Sequence, residues 1–337
     1  MPRAVENPPN PWHGTHVEYL DAPPPARLEV FEDHARSILA RNDSPDIPFR
    51  WSLNPYRGCM HACAYCYARP SHQHLGFGAG TDFDRKIVVK RDAPALLREA
   101  FAKRSWVGEA VMFSGNTDCY QPLEASYGLT RACLEVCAEH RNPVCVITKS
   151  ALVRRDADVL AKLARESRAR VIFSVPFARD EDALKIEPWA ARVSRRFEAM
   201  RALSDAGVPV GVSVSPVIPG LNDHDIAEVL ERAAAAGASS AFMIALRLPG
   251  EVREVFQARL AEAFPDRAAR VMSQLVDIRR GRTDEARFGA RMRGEGARWE
   301  IVRQLFHTTA RRLGLDGPSE IEAPGAFKRP SAQGELF

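Results

Sequence analysis

The chain has 337 residues, enough to bury a large core as one α/β domain with additions or as two domains. It is 45% hydrophobic and 27% charged with a net charge of +4, the composition of an ordinary soluble globular protein. No run approaches the roughly eighteen apolar residues of a membrane span, and the start, MPRAVENPPNPWHG, carries no apolar leader, so a cytoplasmic protein with no membrane partner is expected.

Residues 1–48, rich in Pro and polar groups, read as an arm lying on the body. A repeating pattern then begins. FRWSLNPY reads as a strand followed by a cysteine-bearing loop, APALLREAFAKR has helical spacing, and GEAVMFSG is a buried strand. The helix YGLTRACLEVCAEH leads to the strand PVCVITKS, and the helix DADVLAKLARE leads to ARVIFSVPF. RRFEAMRALSDAG, closed by a Gly stop, leads to VPVGVSVSPV; DIAEVLERAAAAG, closed the same way, leads to SSAFMIALRL. From about residue 251 the strands cease, and helices are expected over about 251–263, 267–280 and 297–313. The tail from Gly317 is loose in composition and reads as disordered for much of its length.

Six short apolar strands alternating with helices predict a parallel sheet, because parallel neighbours need crossover helices. The sheet could be open and doubly wound or a partial (β/α) barrel; either way, ligands sit at the carboxyl ends of the strands. Those ends are where this chain places its polar clusters: the cysteine loop, SGNTDCYQP, TKS, SVPF, SVSPVIPGLND and RLPGE. The expected division is an arm (1–48), a core barrel (49–250), an Arg-rich helical extension (251–316) and a flexible tail (317–337).

The loop GCMHACAYCYAR places Cys59, Cys63 and Cys66 at spacings of four and three. The chain has seven cysteines and is too long to need disulfide staples, and clustered thiols in a reducing cytosol are metal ligands or catalytic groups more often than disulfides. Thiolates select soft metals: zinc, copper or iron–sulfur clusters. A structural zinc would need a fourth donor, with His61, His72 and His74 nearby. A [4Fe–4S] cluster held by three cysteines keeps one iron open for a substrate or cofactor.

CxxxCxxC with an aromatic before the last cysteine, here Tyr65, resembles the signature of the radical S-adenosylmethionine (radical SAM) enzymes. The resemblance covers about residues 49–250 and implies a partial (β/α)6 TIM-like barrel. It also implies that Cys59, Cys63 and Cys66 hold a [4Fe–4S] cluster whose open iron chelates S-adenosyl-L-methionine, and that a one-electron reductant protein is a partner. In such a protein a turn after the second strand meets the methionine amino group; here Ser114, Gly115, Asn116 and Thr117 stand in place of the commoner Gly-Gly-Glu. Lys149 and Ser150 would meet the carboxylate or ribose, and Ser174, Ser213 and Ser215 the ribose hydroxyls, although serine at a strand end also satisfies backbone. GCMHACAYCYAR, TDCYQPLE and VITKS resemble the spore photoproduct lyase-like group, described as DNA repair photolyase-like, in which a cysteine near the barrel mouth returns hydrogen to the product. Cys119 is the candidate for that role, the alternative being packing; Cys133, Cys137 and Cys145 read as core, and Tyr120 as packing.

Between Arg279 and Arg312 stand ten arginines against four acids, with Phe288 and Trp299 interleaved. Such a patch can neutralise phosphates and offer stacking planes; it is equally the solvated surface of a chain in which 40 of 47 basic residues are Arg. The last five residues, with Gln333, Leu336 and Phe337, resemble the peptide by which bacterial repair proteins dock on the sliding clamp, apart from Gly334 at an apolar position. The expectation is therefore a radical SAM enzyme, lyase-type, acting on nucleic acid, with a damaged or modified DNA base as substrate. The alternatives are the same chemistry on RNA, a peptide or a metabolite, and a zinc-stabilised nucleic-acid adaptor without catalysis.

Overall fold

A computed structural model describes residues 7–12, 27–317 and 327–329. The strands are β1 (Glu29–Glu32), β2 (Leu39–Arg41), β3 (Trp51–Leu53), β4 (Tyr56–Arg57), β5 (Lys86–Val89), β6 (Val111–Phe113), β7 (Val144–Thr148), β8 (Ala169–Ser174), β9 (Val210–Val217) and β10 (Ala241–Ala245). The helices are α1 (Thr81–Arg85), α2 (Ala93–Ala102), α3 (Glu124–Tyr127), α4 (Leu129–Glu139), α5 (Ala157–Glu166), α6 (Asp180–Ile186), α7 (Val193–Asp205), α8 (Ile226–Ala235), α9 (Val252–Ala263), α10 (Pro265–Asp277) and α11 (Gly296–Arg312).

Seven strands form the main sheet in the order β10-β9-β8-β7-β6-β3-β2, and the six from β10 to β3 are parallel. Each parallel strand lies beside the one before it, with no reversal of order. A doubly wound sheet reverses at a switch point; here every crossover runs in one sense, so the helices cover one face and the sheet curls around the other. This is the partial barrel of six βα units expected from the sequence.

Strand alternation builds the two faces. Val144, Val146, Val171, Phe173, Val212 and Val214 join the main core under the helices. Met112, Cys145, Ile147, Ile172 and Phe242 form a separate cluster on the barrel's inner side. Cys133 and Cys137, four residues apart on α4, are fully buried in the main core.

Three segments differ from the sequence reading. The arm contributes strands: β2 extends the main sheet antiparallel to β3, and β1 pairs with β5. A three-stranded sheet, β1-β5-β4, backs the cysteine loop. Part of the tail docks on the body, with the Phe327 ring 5.8 Å from that of Phe101 and the Lys328 amide donating to the His140 carbonyl at 2.8 Å. Gln333, Leu336 and Phe337 lie outside the described residues.

Candidate active site

The cysteine loop leaves the carboxyl end of the β3 strand and is bent by two left-handed residues, Gly58 (φ 76°) and Ala62 (φ 55°). Gly58 has no room for a side chain, since a Cβ there would stand 2.9 Å from the Phe83 carbonyl oxygen. Hydrogen bonds pin the loop along its length. The Cys59 amide donates to the Phe83 carbonyl at 2.9 Å and the Ala64 amide to the Ile186 carbonyl at 3.0 Å. The Gln121 side chain accepts from the Met60 amide and donates to the Gly58 carbonyl, both at 3.0 Å. Arg69, almost wholly buried, donates to the Cys63 carbonyl through Nε (3.1 Å) and Nη2 (2.9 Å), and to the Ala79 and Gly80 carbonyls through Nη1. Its other partner is Asp84 at 2.9 Å. Burial pushes the Asp84 carboxyl up to about 6 against the pull of Arg69.

Cys59 and Cys63 are buried, Cys66 is half-buried, and none of the three is in a disulfide. Burial pushes the Cys66 thiol up to about 11, reinforced by Cys59 and opposed by Arg69; burial likewise raises Cys63. Burial favours the neutral thiols, and metal binding would displace their protons; three cysteine sulfurs on one loop are the donor type that Fe–S clusters take. Among the described residues no three His, Cys, Asp or Glu are gathered as the donors of a single ion. Each histidine near the motif has partners, and His61 hydrogen-bonds Cys59 itself as well as facing Asp118. His61 Nδ1 lies 3.4 Å from Asp118 Oδ2, and His72 Nε2 donates to the Lys86 carbonyl at 2.9 Å. The His74 ring lies 5.9 Å from that of Trp12.

Tyr65 points inward and donates its hydroxyl to Glu187, which also binds Arg196; all three are buried. The Lys149 ammonium lies 5.5 Å from the Tyr65 ring centre, on the third parallel strand's end beside Cys63. Burial works against its charge, but Cys63 and Glu187 hold its ionisation above the usual lysine value. Glu187 and Arg196 escaped the sequence reading, because they follow the motif by more than a hundred residues and meet it only through tertiary packing. Tyr67 was passed over as well. Exposed beside Cys66, it donates its hydroxyl to the Gly115 carbonyl at 2.9 Å and so ties the cysteine loop to the second strand's turn.

That turn is tight. Ser114 has φ 70°, and a Cβ on Gly115 would stand 2.6 Å from Ser52 Cβ. Asn116 is held by Asn54 (2.9 Å, amide to Oδ1) and Ser71 (3.3 Å). The Thr117 hydroxyl is committed to the Tyr56 carbonyl at 2.7 Å, and Ser150 Oγ accepts the Leu152 amide as a helix cap, so both have local structural duties. Ser174 and Ser213 are paired across β8 and β9. Ser215, two residues further on the same face, has a buried hydroxyl with no partner among the described residues. An unmet hydroxyl on the inner face of a barrel suits a cofactor carrying hydroxyls.

Cys119 is fully buried, in the core with Cys133 and Tyr120. Its amide donates to Ser114 Oγ at 2.9 Å and its carbonyl accepts from the Thr130 hydroxyl at 2.6 Å. A hydrogen donor must reach a substrate radical, so this enclosed placement supports packing and gives no support to the donor role. The Tyr120 hydroxyl donates to Asp156 at 2.9 Å.

The Arg-rich segment is less free than its composition suggests. Residues 279–295 form a strap tied to the sixth parallel strand: buried Arg279 donates to the Ala245 and Leu246 carbonyls, and the Ala245 amide donates to the Met292 carbonyl. Asp46 of the arm clasps it from the other side, accepting from the Gly289 amide at 2.6 Å and from Arg291 Nε at 2.5 Å.

The Radical SAM superfamily profile matches residues 53–233. The chain belongs to this superfamily, whose members are enzymes that use a [4Fe–4S] cluster and S-adenosylmethionine. An uncharacterized protein of Mycobacterium tuberculosis is 37% identical over 226 residues, 66% of this chain and 66% of the relative, so the match spans just under two thirds of that curated relative. The Radical SAM Nalpha-GlyT isomerase of Pseudomonas phage M6 is 28% identical over 186 residues, 54% of this chain and 36% of the phage protein. Among solved structures, spore photoproduct lyase complexed with dinucleoside spore photoproduct shares the fold with a TM-score of 0.62 at 16% identity, covering 84% of this chain and 79% of that chain.

Proposed function

We infer that the protein is a radical SAM enzyme acting on a nucleic acid, with a damaged or modified DNA base as substrate. The observation that carries this reading is the cysteine loop pinned over the end of a singly wound six-stranded barrel, with Lys149 and the unpartnered Ser215 hydroxyl inside. Cys59, Cys63 and Cys66 would hold the cluster. Gly115 and Asn116 at the second strand, Lys149 at the third, and Ser174, Ser213 and Ser215 at the fourth and fifth would hold the cofactor. Thr117, Ser150 and Tyr65 shape the site around it. When bound and reduced by one electron, this pair of cofactors supplies a 5′-deoxyadenosyl radical. Lys149 would orient the cofactor carboxylate, Glu187 keeps Tyr65 fixed, and the inner cluster of buried Met112, Cys145 and Ile172 with half-buried Ile147 would exclude water.

A base as substrate is supported by Tyr67, an exposed ring beside Cys66 that offers a stacking face at the mouth. The shared fold with a lyase solved on a dinucleoside photoproduct points the same way. The barrel at 49–250 is then the catalytic unit, and Asp46 of the arm clasps the strap of the 251–316 extension beside its sixth strand.

The test is anaerobic cluster reconstitution, followed by dithionite and S-adenosylmethionine, with 5′-deoxyadenosine measured in the presence and absence of lesion-bearing DNA. Wild type is expected to form the product, faster with its proper lesion, and Cys63→Ala to form none. Stoichiometric zinc with no iron, or iron without 5′-deoxyadenosine under every substrate, would overturn the reading.

A further inference from the structure

Away from the cysteines, a cavity of about 290 Å³ lies between the loop after β9 (Gly220, Asp223, His224), the α10 helix (Arg267, Arg270, Gln274) and Arg298 of the α11 helix. That loop leaves the carboxyl end of its strand, the same end of the barrel from which the cysteine loop departs. Arg267 and Arg270 stand three residues apart on one face of α10. Four arginines of the segment that follows have acidic partners, Arg280 with Glu295, Arg287 with Glu285, Arg303 with Glu300, and Arg312 with Glu231, while Arg282, Arg293 and Arg311 have none among the described residues. Among the described residues no carboxylate lies within 4.0 Å of Arg267 or Arg270, and Arg298 has only Asp277 at 3.9 Å.

The pocket also contains a buried polar group with an unmet bond. Gln274 is 8% exposed, and its Oε1 has no partner. Gly220 (φ 78°) makes room for it, since a Cβ there would stand 2.6 Å from that oxygen. A half-turn of the amide exchanges its oxygen for an N–H donor. The pocket's one carboxylate, Asp223, has His224 Nδ1 at 3.9 Å, while Nε2 of the same ring lies closer to Asp225, at 3.3 Å. Two unpaired guanidinium groups and a third held loosely match a tetrahedral oxyanion, to which the Gln274 amide would add an N–H donor only once turned.

We propose that this cavity is a phosphate subsite, holding a backbone phosphate of the nucleic acid to one side of the reacting base. The proposal rests on the nucleic-acid reading above and adds to it the group that grips the strand. Phosphate contacts set register and leave sequence unread, which suits an enzyme whose target is a lesion wherever it occurs.

The experiment compares wild type with Arg267→Gln/Arg270→Gln, binding a fluorescently labelled DNA duplex by anisotropy across a series of KCl concentrations. Both arginines are exposed, so the double variant should keep its thermal midpoint. Binding should weaken by roughly tenfold at low salt, and the slope of log affinity against log salt should become shallower by about two. Unchanged affinity and slope would overturn the proposal. Wild type that binds no DNA would sink the substrate reading instead. The phosphate subsite would then stand if inorganic pyrophosphate raises the thermal midpoint of wild type and not of the double variant, and would fall if it raises neither or both.

Discussion

Arg69 gives the Cys63 carbonyl two hydrogen bonds while reaching Ala79, Gly80 and Asp84, so one buried side chain ties the motif to the segment behind it. A lysine keeps the charge but lacks the planar fork that serves several acceptors at once. Arg69→Lys is therefore expected to reconstitute with clearly less iron than wild type while its circular dichroism stays unchanged, and full iron loading would refute this. Arg69→Ala leaves Asp84 buried without its partner and should cost about 3–5 kcal/mol in chemical denaturation. At this scale the sequence was legible where chemistry is local. Cys59, Cys63, Cys66 and Tyr65 stand in one short motif and Lys149 directly follows β7, whereas Ser213 and Ser215, expected at a strand end, lie within β9. Position alone could not tell Ser150, which caps a helix, from Ser215, whose hydroxyl is unmet. Nor could it single out Arg196 from 40 arginines, because the partner that gives it meaning, Glu187, is supplied by folding.

The strap over residues 279–295 depends on Asp46, whose carboxyl is held below the usual value chiefly by the Gly289 amide and then by Arg291. A carboxyl depressed in the folded state adds stability that is fully present above its unfolded value near 3.8 and is lost as pH falls through the lower folded value. Asp46→Asn should thus loosen the strap at neutral pH, seen as faster amide exchange over 280–293 with the barrel strands still protected. The gap between variant and wild type should close as pH drops below about 4. Equal exchange at neutral pH would show that Arg279 alone secures the strap. The six parallel strands were legible because apolar runs alternate with amphipathic helices, each one a long and periodic signal. The β1, β2, β4 and β5 strands were not. They span two to four residues, and what makes them strands is the neighbour each one pairs with.

Across the whole molecule, the cysteine loop is anchored by protein groups at several points along its length. Its bonds run to Phe83, Gln121, Ile186 and Arg69, groups supplied by the folded barrel and the small sheet behind it. Stripping the iron with a chelator should therefore leave far-UV circular dichroism intact and lower the thermal midpoint without abolishing a cooperative transition. A zinc-finger-like chain, by contrast, unfolds when its metal leaves. Loss of the cooperative transition on chelation would show that the cluster is a structural keystone as well as a cofactor. The sheet's sequential order was foreshadowed by the repeat of six βα units; the choice of a singly wound barrel over a doubly wound sheet needed the strand neighbours themselves.

The barrel does not close, because β10 and β2 are the two ends of the sheet. The outer edge of β10 is clipped at both ends by the chain on either side of α11: the Ala245 amide bonds to the Met292 carbonyl, and the Ala241 amide to Leu315, beside the bridge from Ser240 to Asp316. A helix bracketed in this way works as a selvedge, the bound margin that stops a cloth from unravelling, and keeps an exposed strand from recruiting another chain. Shortened versions of the protein made to probe Gln333, Leu336 and Phe337 should accordingly keep the docked residues 327–329, and at the least everything through Gly317. A cut a few residues earlier bares the β10 edge, and any loss of function would then report aggregation in place of the missing tail.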